Sequence, residues 1–140
     1  MESEVQGYLN EYSTLKGQIR EALQGLDDEA ANWHPLPEGT NSIYVILTHL
    51  MGSDNYWVRR VISGEKVQRD RESEFAVSGS FAELLSRWEK SGTESAAILA
   101  KLTPEQMAET RAVPGRPDRG LVTIRWCILH QISHYATHLG

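Results

Sequence analysis

The chain has 140 residues, of which 40% are hydrophobic and 24% are charged, and its formal net charge at pH 7 is −5. This length and composition are typical of one globular domain with a single core, which we expect to span residues 1–140. No stretch of the sequence resembles the clustered Lys and Arg footprint of a nucleic-acid-binding protein, so a nucleic acid is not expected as a partner, and no apolar run approaches the roughly 20 residues of a membrane span.

The first helix is predicted over residues 3–25, because apolar residues recur there at spacings of three and four while charged residues fill the other positions. The apolar set is Val5, Leu9, Tyr12, Leu15, Ile19 and Leu23. After this helix, Asp27 and Asp28 can cap a short turn. Pro35 and Pro37 then require extended backbone, so the next helix must start beyond them.

The second helix is predicted over residues 42–63, with its cap among residues 40–42. His49 lies in the middle of its apolar side, at the spacing of a residue that faces the core. Residues 64–78 are charged and aperiodic, and they are predicted to form a long connection of the kind that is often functional or mobile.

The third helix is predicted over residues 80–102, and Pro104 then opens a short helix that ends near Thr110. Residues 111–122 contain two prolines and two glycines and indicate a loop, within which a strand-like pair can lead into the last helix at 123–140. Four long amphipathic helices without a convincing strand predict an all-α fold. We predict a four-helix bundle with long connections, at least one of them a crossover, and a short extra helix.

Three histidines on the last helix, His130, His134 and His138, follow one another at intervals of four. Positions four apart differ by only about 40° around a helix, so all three imidazoles lie in one stripe that also carries core residues, and we expect them to point into the core. We predict that His49, His134 and His138 bind one divalent metal, because three imidazoles with an open fourth position are typical of a catalytic site. Spacing alone also permits His130 to replace either ligand of its helix, and hydrogen-bonded core histidines are the competing interpretation.

Four other side chains are weaker candidates for the same site. His34 lies in a Pro-rich loop and is not expected to be a ligand. Cys127 can be a soft ligand or a reactive thiol, although a single buried cysteine is usually a small apolar residue. One cysteine cannot form an internal disulfide, and the acidic N-terminus does not resemble a signal peptide. Both features predict a protein of the reducing cytoplasm. Trp57 and Tyr135 can line a pocket, although core packing is their commoner role.

Two segments of the chain resemble the DinB-like superfamily. They are NWHPLPEGTNSIYVILTHLMGSDNYW, in which a Trp/Pro segment leads into a helix with one histidine and an aromatic pair, and LVTIRWCILHQISHYATHLG, which is similar to the superfamily's last helix. The shorter segment RRVISGE, at Arg59–Glu65, resembles a branch that includes mycothiol-dependent enzymes. The resemblance implies a four-helix bundle whose metal ligands match His49, His134 and His138, with His130 outside the ligand set.

The resemblance also implies a function. Characterised members include thiol S-transferases that use bacillithiol or mycothiol, and a mycothiol-dependent maleylpyruvate isomerase. We therefore expect a homodimeric, metal-dependent thiol S-transferase with zinc or nickel as its ion and a low-molecular-weight thiol as co-substrate. The alternatives are a metal-dependent hydrolase and a non-enzymatic stress-response protein that binds a metal or small ligand. A cleft beside the metal position favours an enzyme, whereas a closed core with four protein ligands favours a structural role.

Overall fold

The computed structural model describes residues 3–140. Most of this part of the chain is helical, which confirms the predicted all-α class. The helices are α1 (Glu4–Ala22), α2 (Asp28–Asn32), α3 (Ile43–Asp54), α4 (Phe81–Ala100) and α5 (Ile124–Leu139). Single 3₁₀ turns occur at Ser73–Ala76, Glu105–Ala108 and Pro117–Arg119, and two short strands are β1 (Thr110–Ala112) and β2 (Leu121–Thr123).

The helices that carry histidines begin at capping side chains. Ser42, within the predicted cap region, accepts a hydrogen bond from the backbone N–H of Val45 at 3.0 Å. Thr123 caps α5 in the same way through the N–H of Trp126, also at 3.0 Å. A side chain that satisfies a free N–H of the first turn determines where the helix begins. These caps therefore also determine which faces the later histidines occupy.

The second predicted helix is continuous but does not keep one geometry. After Asp54 the chain continues as a π-helical segment at Asn55–Ile62, where the N–H of Ser63 still reaches the carbonyl of Val58 at 3.0 Å. Hydrophobic periodicity correctly predicted helix as far as residue 63, but it did not predict the wider turn. The wider turn places Trp57, Val58, Val61 and Ile62 in the core.

The long helices do not pack in the order of the chain. Helix α1 packs mainly against α5 and α4, and α3 packs mainly against α4 and α5. The long helices α1 and α3, which are separated in the chain only by the short α2, therefore do not make their main contacts with each other. Two clusters of buried side chains fill the interior, and Ile132 of α5 packs against both.

The segment before α5 contains the strand-like pair that the sequence allowed, but its short helix differs from the prediction. The short helix expected from Pro104 to Thr110 is only the 3₁₀ turn Glu105–Ala108. The chain then forms β1, which pairs antiparallel with β2 so that Arg111 lies opposite Val122. The loop between the strands includes Gly115 and Gly120, whose φ angles of 75° and 64° are readily adopted only by glycine. This hairpin leads directly into the last helix.

Within residues 3–140, no helix combines the length and the apolar composition that crossing a lipid bilayer requires.

Candidate metal centre

The three histidines predicted to be ligands lie together. One ring nitrogen of each of His49, His134 and His138 lies within 4.8 Å of those of the other two. The Nε2 atom of His134 is 3.0 Å from Nε2 of His49 and 3.1 Å from Nε2 of His138. The close approach of α5 to α3 thus joins an H-x-x-x-H pair on one helix to a single histidine on another.

The ring of His49 is oriented by a charged pair from the connection after α3. Its Nδ1 atom lies 3.1 Å from Oε1 of Glu74, and Arg69 binds both oxygens of that carboxylate at 2.9 Å. A carboxylate can only accept hydrogen bonds, so Nδ1 of His49 carries the proton and Nε2 presents its lone pair to the other histidines. Metal-bound histidines usually have such a carboxylate partner.

The other two rings are neutral at ordinary pH. Burial, together with the positive charges that the nearby histidines would place beside it, lowers the pKa of His134 to about 3. Burial, followed by the proximity of His49, also lowers the pKa of His138. Nδ1 of His134 is buried and has no hydrogen-bond partner among residues 3–140. Three rings with converging nitrogens, two of them with a lowered pKa, fit a divalent cation better than a hydrogen-bonded core.

The carboxylate of Glu74 is itself tightly held. Burial alone would raise the pKa of Glu74, but hydrogen bonds from His49 and Arg69 outweigh that effect, and the net pKa is lowered. A Cβ atom at Gly52 would overlap the Glu74 carboxylate. The absence of a side chain at Gly52 therefore makes room for this carboxylate. The sequence marked residues 64–78 as a connection of an often functional kind, but it did not single out any of these residues.

The predicted orientation of the last-helix histidines was only partly correct. His49 is buried, with 7% of its surface exposed, as its spacing predicted. By contrast, His130, His134 and His138 are half-buried. The fully buried positions of α5 are Ile124, Cys127, Ile128, Gln131 and Tyr135. The histidines border this stripe, because positions four apart drift around the helix and the neighbouring positions already fill the core.

A cleft of about 540 Å³ opens beside His49 and His134. Its lining includes three aromatic rings, those of Tyr56, Trp57 and His130. It also includes four basic side chains, which are Arg69, Arg71, Arg116 and Arg119. The cluster is therefore not enclosed by the core, and a small molecule can approach it.

His130 lies next to the cluster but outside it. Its ring stacks on Trp126, with centroids 4.7 Å apart, and its centroid is 6.2 Å from that of His134. Burial and the positive charge of Arg119 lower the pKa of His130. The ring therefore forms part of the cleft wall, and the alternative in which it takes the place of another ligand finds no support in the geometry.

The remaining candidates are separate from the cluster. His34 is exposed, and its Nδ1 atom lies 2.9 Å from the carbonyl oxygen of Thr40. Cys127 is fully buried in the apolar core, and burial raises the pKa of its thiol to about 12. A thiol with such a pKa stays protonated, so Cys127 serves as a small apolar side chain. Trp57 both packs in the core and lines the cleft.

A buried polar network lies next to the cluster. Asp54 is 1% exposed and accepts hydrogen bonds from the hydroxyls of Tyr12 and Tyr135 and, at 2.7 Å, from the side-chain amide of Gln131. Trp88 donates to the Tyr135 hydroxyl at 3.3 Å. These contacts join all four long helices. Burial raises the pKa of Asp54 to about 7, although the hydrogen bonds from Tyr135 and Gln131 oppose that rise.

Comparison with known proteins agrees with this architecture. A profile of the mycothiol-S-transferase family matches residues 5–140. No curated protein matches the chain. A crystal structure of a DinB-like protein from Bacillus cereus ATCC 10987 is similar, with a TM-score of 0.75, 16% identity and coverage of 95% of this chain and 84% of that one.

A conserved protein from Enterococcus faecalis is also similar, with a TM-score of 0.71, 15% identity and coverage of 100% of this chain and 92% of the other. Likeness at these identities establishes the fold. The family profile covers nearly the whole sequence, and the chain therefore belongs to the mycothiol-S-transferase family of the DinB-like superfamily.

Proposed function

We propose that this protein is a metal-dependent thiol S-transferase that joins the sulfur of a low-molecular-weight thiol to an electrophilic carbon. The observation that carries the proposal is the convergence of three histidine ring nitrogens within 4.8 Å beside an open cleft. In this proposal His49, His134 and His138 hold one divalent ion, zinc or nickel, and the family match supplies the class of reaction.

The charged pair beside His49 has a positioning role. Glu74 accepts the Nδ1 proton of His49, and Arg69 keeps the carboxylate ionised and in place. The lone pair of Nε2 is then fixed toward the cleft. The chemistry that a bound ion supplies is a lower pKa for a thiol placed next to it.

The reaction balances without an oxidant or a reductant. The thiol gives its proton to solvent water, its sulfur forms a bond to the electrophilic carbon, and the leaving group departs from that carbon with its bonding electrons. The aromatic wall of Tyr56, Trp57 and His130 can contact the apolar part of the electrophile and limit access of water. Tyr56 also donates a hydrogen bond to the carbonyl of Pro114 at 2.9 Å, which holds the hairpin loop against the cleft.

The alternatives have less support. A hydrolase needs a free base near the ion, but Glu74, the carboxylate that contacts His49, is already bound by His49 and Arg69. A purely structural metal site usually has four protein ligands, whereas the group found within residues 3–140 has three and borders a cleft. Both features favour an enzyme over a non-enzymatic binder.

We also propose that the four long helices form one four-helix-bundle domain over residues 1–140, and that two copies form a homodimer. Each long helix contacts two others, as the cross-section of a bundle requires. Several large apolar side chains are exposed and could be covered by a second copy. They include Trp33, Leu36 and Leu121, which are 64%, 60% and 66% exposed.

The proposal is tested by measuring metal content and then turnover. Purified protein should contain close to one zinc or nickel ion per chain by elemental analysis. It should also join at least one thiol, from a panel that includes mycothiol and bacillithiol, to monobromobimane. His134→Ala should lose both the metal and the activity, whereas His34→Ala should keep both. Metal-loaded protein that is inactive with every thiol would contradict the transferase assignment while leaving the metal site intact.

A further inference from the structure

The cleft beside the three histidines has a charge opposite to that of the whole molecule. The chain has 14 Lys and Arg against 19 Asp and Glu, yet the residues that line the cleft include four arginines and no acidic residue. A concave surface of one sign concentrates ligands of the other sign. The cleft of this acidic protein is therefore suited to negatively charged molecules.

The nearby carboxylates do not neutralise this charge. Arg69 is fully engaged by Glu74, which accounts for one of the four arginines. Arg116 approaches Asp118 with an Nε–Oδ1 distance of 3.4 Å, and both side chains are more than half exposed. An ion pair that is long and exposed contributes little and is readily replaced by another partner.

The other two arginines contact aromatic rings. The guanidinium carbon of Arg119 lies 5.9 Å from the ring centroid of Trp57 and 6.0 Å from the ring centroid of Trp126. The guanidinium carbon of Arg71 lies 5.5 Å from the ring centroid of Phe75. Neither guanidinium forms an ion pair within residues 3–140, although the charge of Arg119 contributes to the lowered pKa of Asp118. Contact with a ring face orients the guanidinium and leaves its N–H groups free.

These arginines come from two separate segments. Arg71 belongs to the connection between the π-helical segment and α4, while Arg116 and Arg119 belong to the loop of the β1–β2 hairpin. The hairpin loop is held against the cleft by the hydrogen bond from Tyr56 to Pro114. The fold thus brings the arginines to one cleft, beside His130 and His134.

We propose that Arg71, Arg116 and Arg119 form an anion subsite that binds a carboxylate or phosphate group of one of the two reactants. Guanidinium groups bind both kinds of anion through paired hydrogen bonds. The claim that the bound molecule is a reactant rests on the proposed transferase function. The claim that the cleft binds an anion does not depend on it. The group that anchors the reactant is thereby separate from the histidines that would hold the ion.

Binding is measured with the full chain after metal removal, so that the result is independent of catalysis. Inorganic phosphate and succinate are titrated into the protein by calorimetry, and at least one should bind saturably and more weakly as salt increases. Arg119→Gln should weaken binding about tenfold, as expected for the loss of a charge-assisted hydrogen bond. Arg119→Lys should retain part of the affinity because the charge remains.

The matched control is Arg87→Gln, which removes the same charge from an exposed position of α4 outside the cleft lining. It should leave the affinity unchanged. Absence of saturable binding of both probes, or an equal loss of affinity in the Arg87 and Arg119 variants, would overturn the subsite. A protein that binds these probes but transfers no thiol would instead refute only the proposed function.

A second measurement identifies which reactant carries the anion. For the thiol, KM values are compared between glutathione, which has two carboxylates, and 2-mercaptoethanol, which has none. For the electrophile, 4-chloro-3-nitrobenzoate is compared with 1-chloro-2,4-dinitrobenzene. Arg119→Gln should raise KM selectively for the charged member of one pair. An equal rise for charged and uncharged members would contradict the subsite, because a structural defect would affect both.

Discussion

Replacing Asp54 with asparagine is expected to change how the stability of the fold depends on pH. The Asp54 carboxyl is fully buried and accepts hydrogen bonds from Tyr12, Tyr135 and Gln131. The charged side chain of Lys16 lies over one of these rings, with its Nζ atom 4.2 Å from the Tyr12 centroid. Burial lowers the pKa of Lys16 to about 8, so this lysine remains mostly protonated up to that pH.

The magnitude follows from the shift in pKa. Burial raises the pKa of Asp54 from 3.8 to about 7. One pKa unit corresponds to about 1.4 kcal/mol, so holding an ionised Asp54 in the folded protein costs roughly 4 kcal/mol relative to the unfolded chain. Because the folded-state pKa is the higher one, the stability contributed by the protonated form is fully present below about pH 4. It is lost as pH rises toward about 7.

The assay is urea unfolding of the wild-type protein and Asp54→Asn from pH 4.5 to 8.5, with a chelator present so that metal binding does not contribute. The wild-type free energy of unfolding should fall relative to that of the variant by up to about 1.4 kcal/mol per pH unit, and the difference should become constant above about pH 7. The other titrating groups occur in both proteins, so their contributions largely cancel.

The control for this experiment is Asp118→Asn, which changes an aspartate that is exposed in the hairpin loop. Its unfolding free energy should follow the wild-type pH dependence closely, because an exposed carboxyl remains hydrated in both states. A constant difference between wild type and Asp54→Asn across the whole pH range would refute the reasoning. It would show that the hydrogen bonds from the network keep Asp54 ionised.

Four further outcomes are expected. His49→Ala should remove most bound metal in elemental analysis, whereas His34→Ala should retain it. Gly52→Ala should weaken metal affinity about 10- to 100-fold in a chelator competition, because a methyl group displaces the carboxylate that orients the first histidine. Gly17→Ala, at an open helical position, should leave the affinity unchanged.

The pKa of His134 is lowered in the fold, so stability that depends on neutral histidines is present above the unfolded pKa of about 6.5 and is lost as pH falls. The difference in Tm with and without a chelator should therefore shrink as pH falls from about 6.5 towards the folded pKa of His134, which is about 3, and a difference that is unchanged at pH 3 would contradict histidine ligation. Light scattering should give the mass of a dimer at micromolar protein concentration. A monomer mass measured at concentrations well above micromolar would exclude the predicted homodimer.

The sequence by itself determined the helices and the composition of their faces. Apolar spacing of three and four residues indicates which side of a helix is buried, and this pattern is local, so it correctly placed His49 on a core-facing side. The interval of four between His134 and His138 likewise guarantees that they share one face of α5. Capping residues such as Ser42 are recognisable for the same reason, since the hydrogen bond that they make lies within a few residues.

Only the tertiary structure decided what surrounds those histidines. His49 and His134 are 85 positions apart, and their contact depends on how α3 and α5 pack. Glu74 and Arg69 reach His49 from a connection with no hydrophobic period, so no local pattern could assign them to it. Asp54 was visible as the single acidic residue of the second predicted helix, but its hydrogen-bond donors come from other helices. Periodicity encodes the burial of a face, whereas the partners across that face depend on the course of aperiodic connections through space.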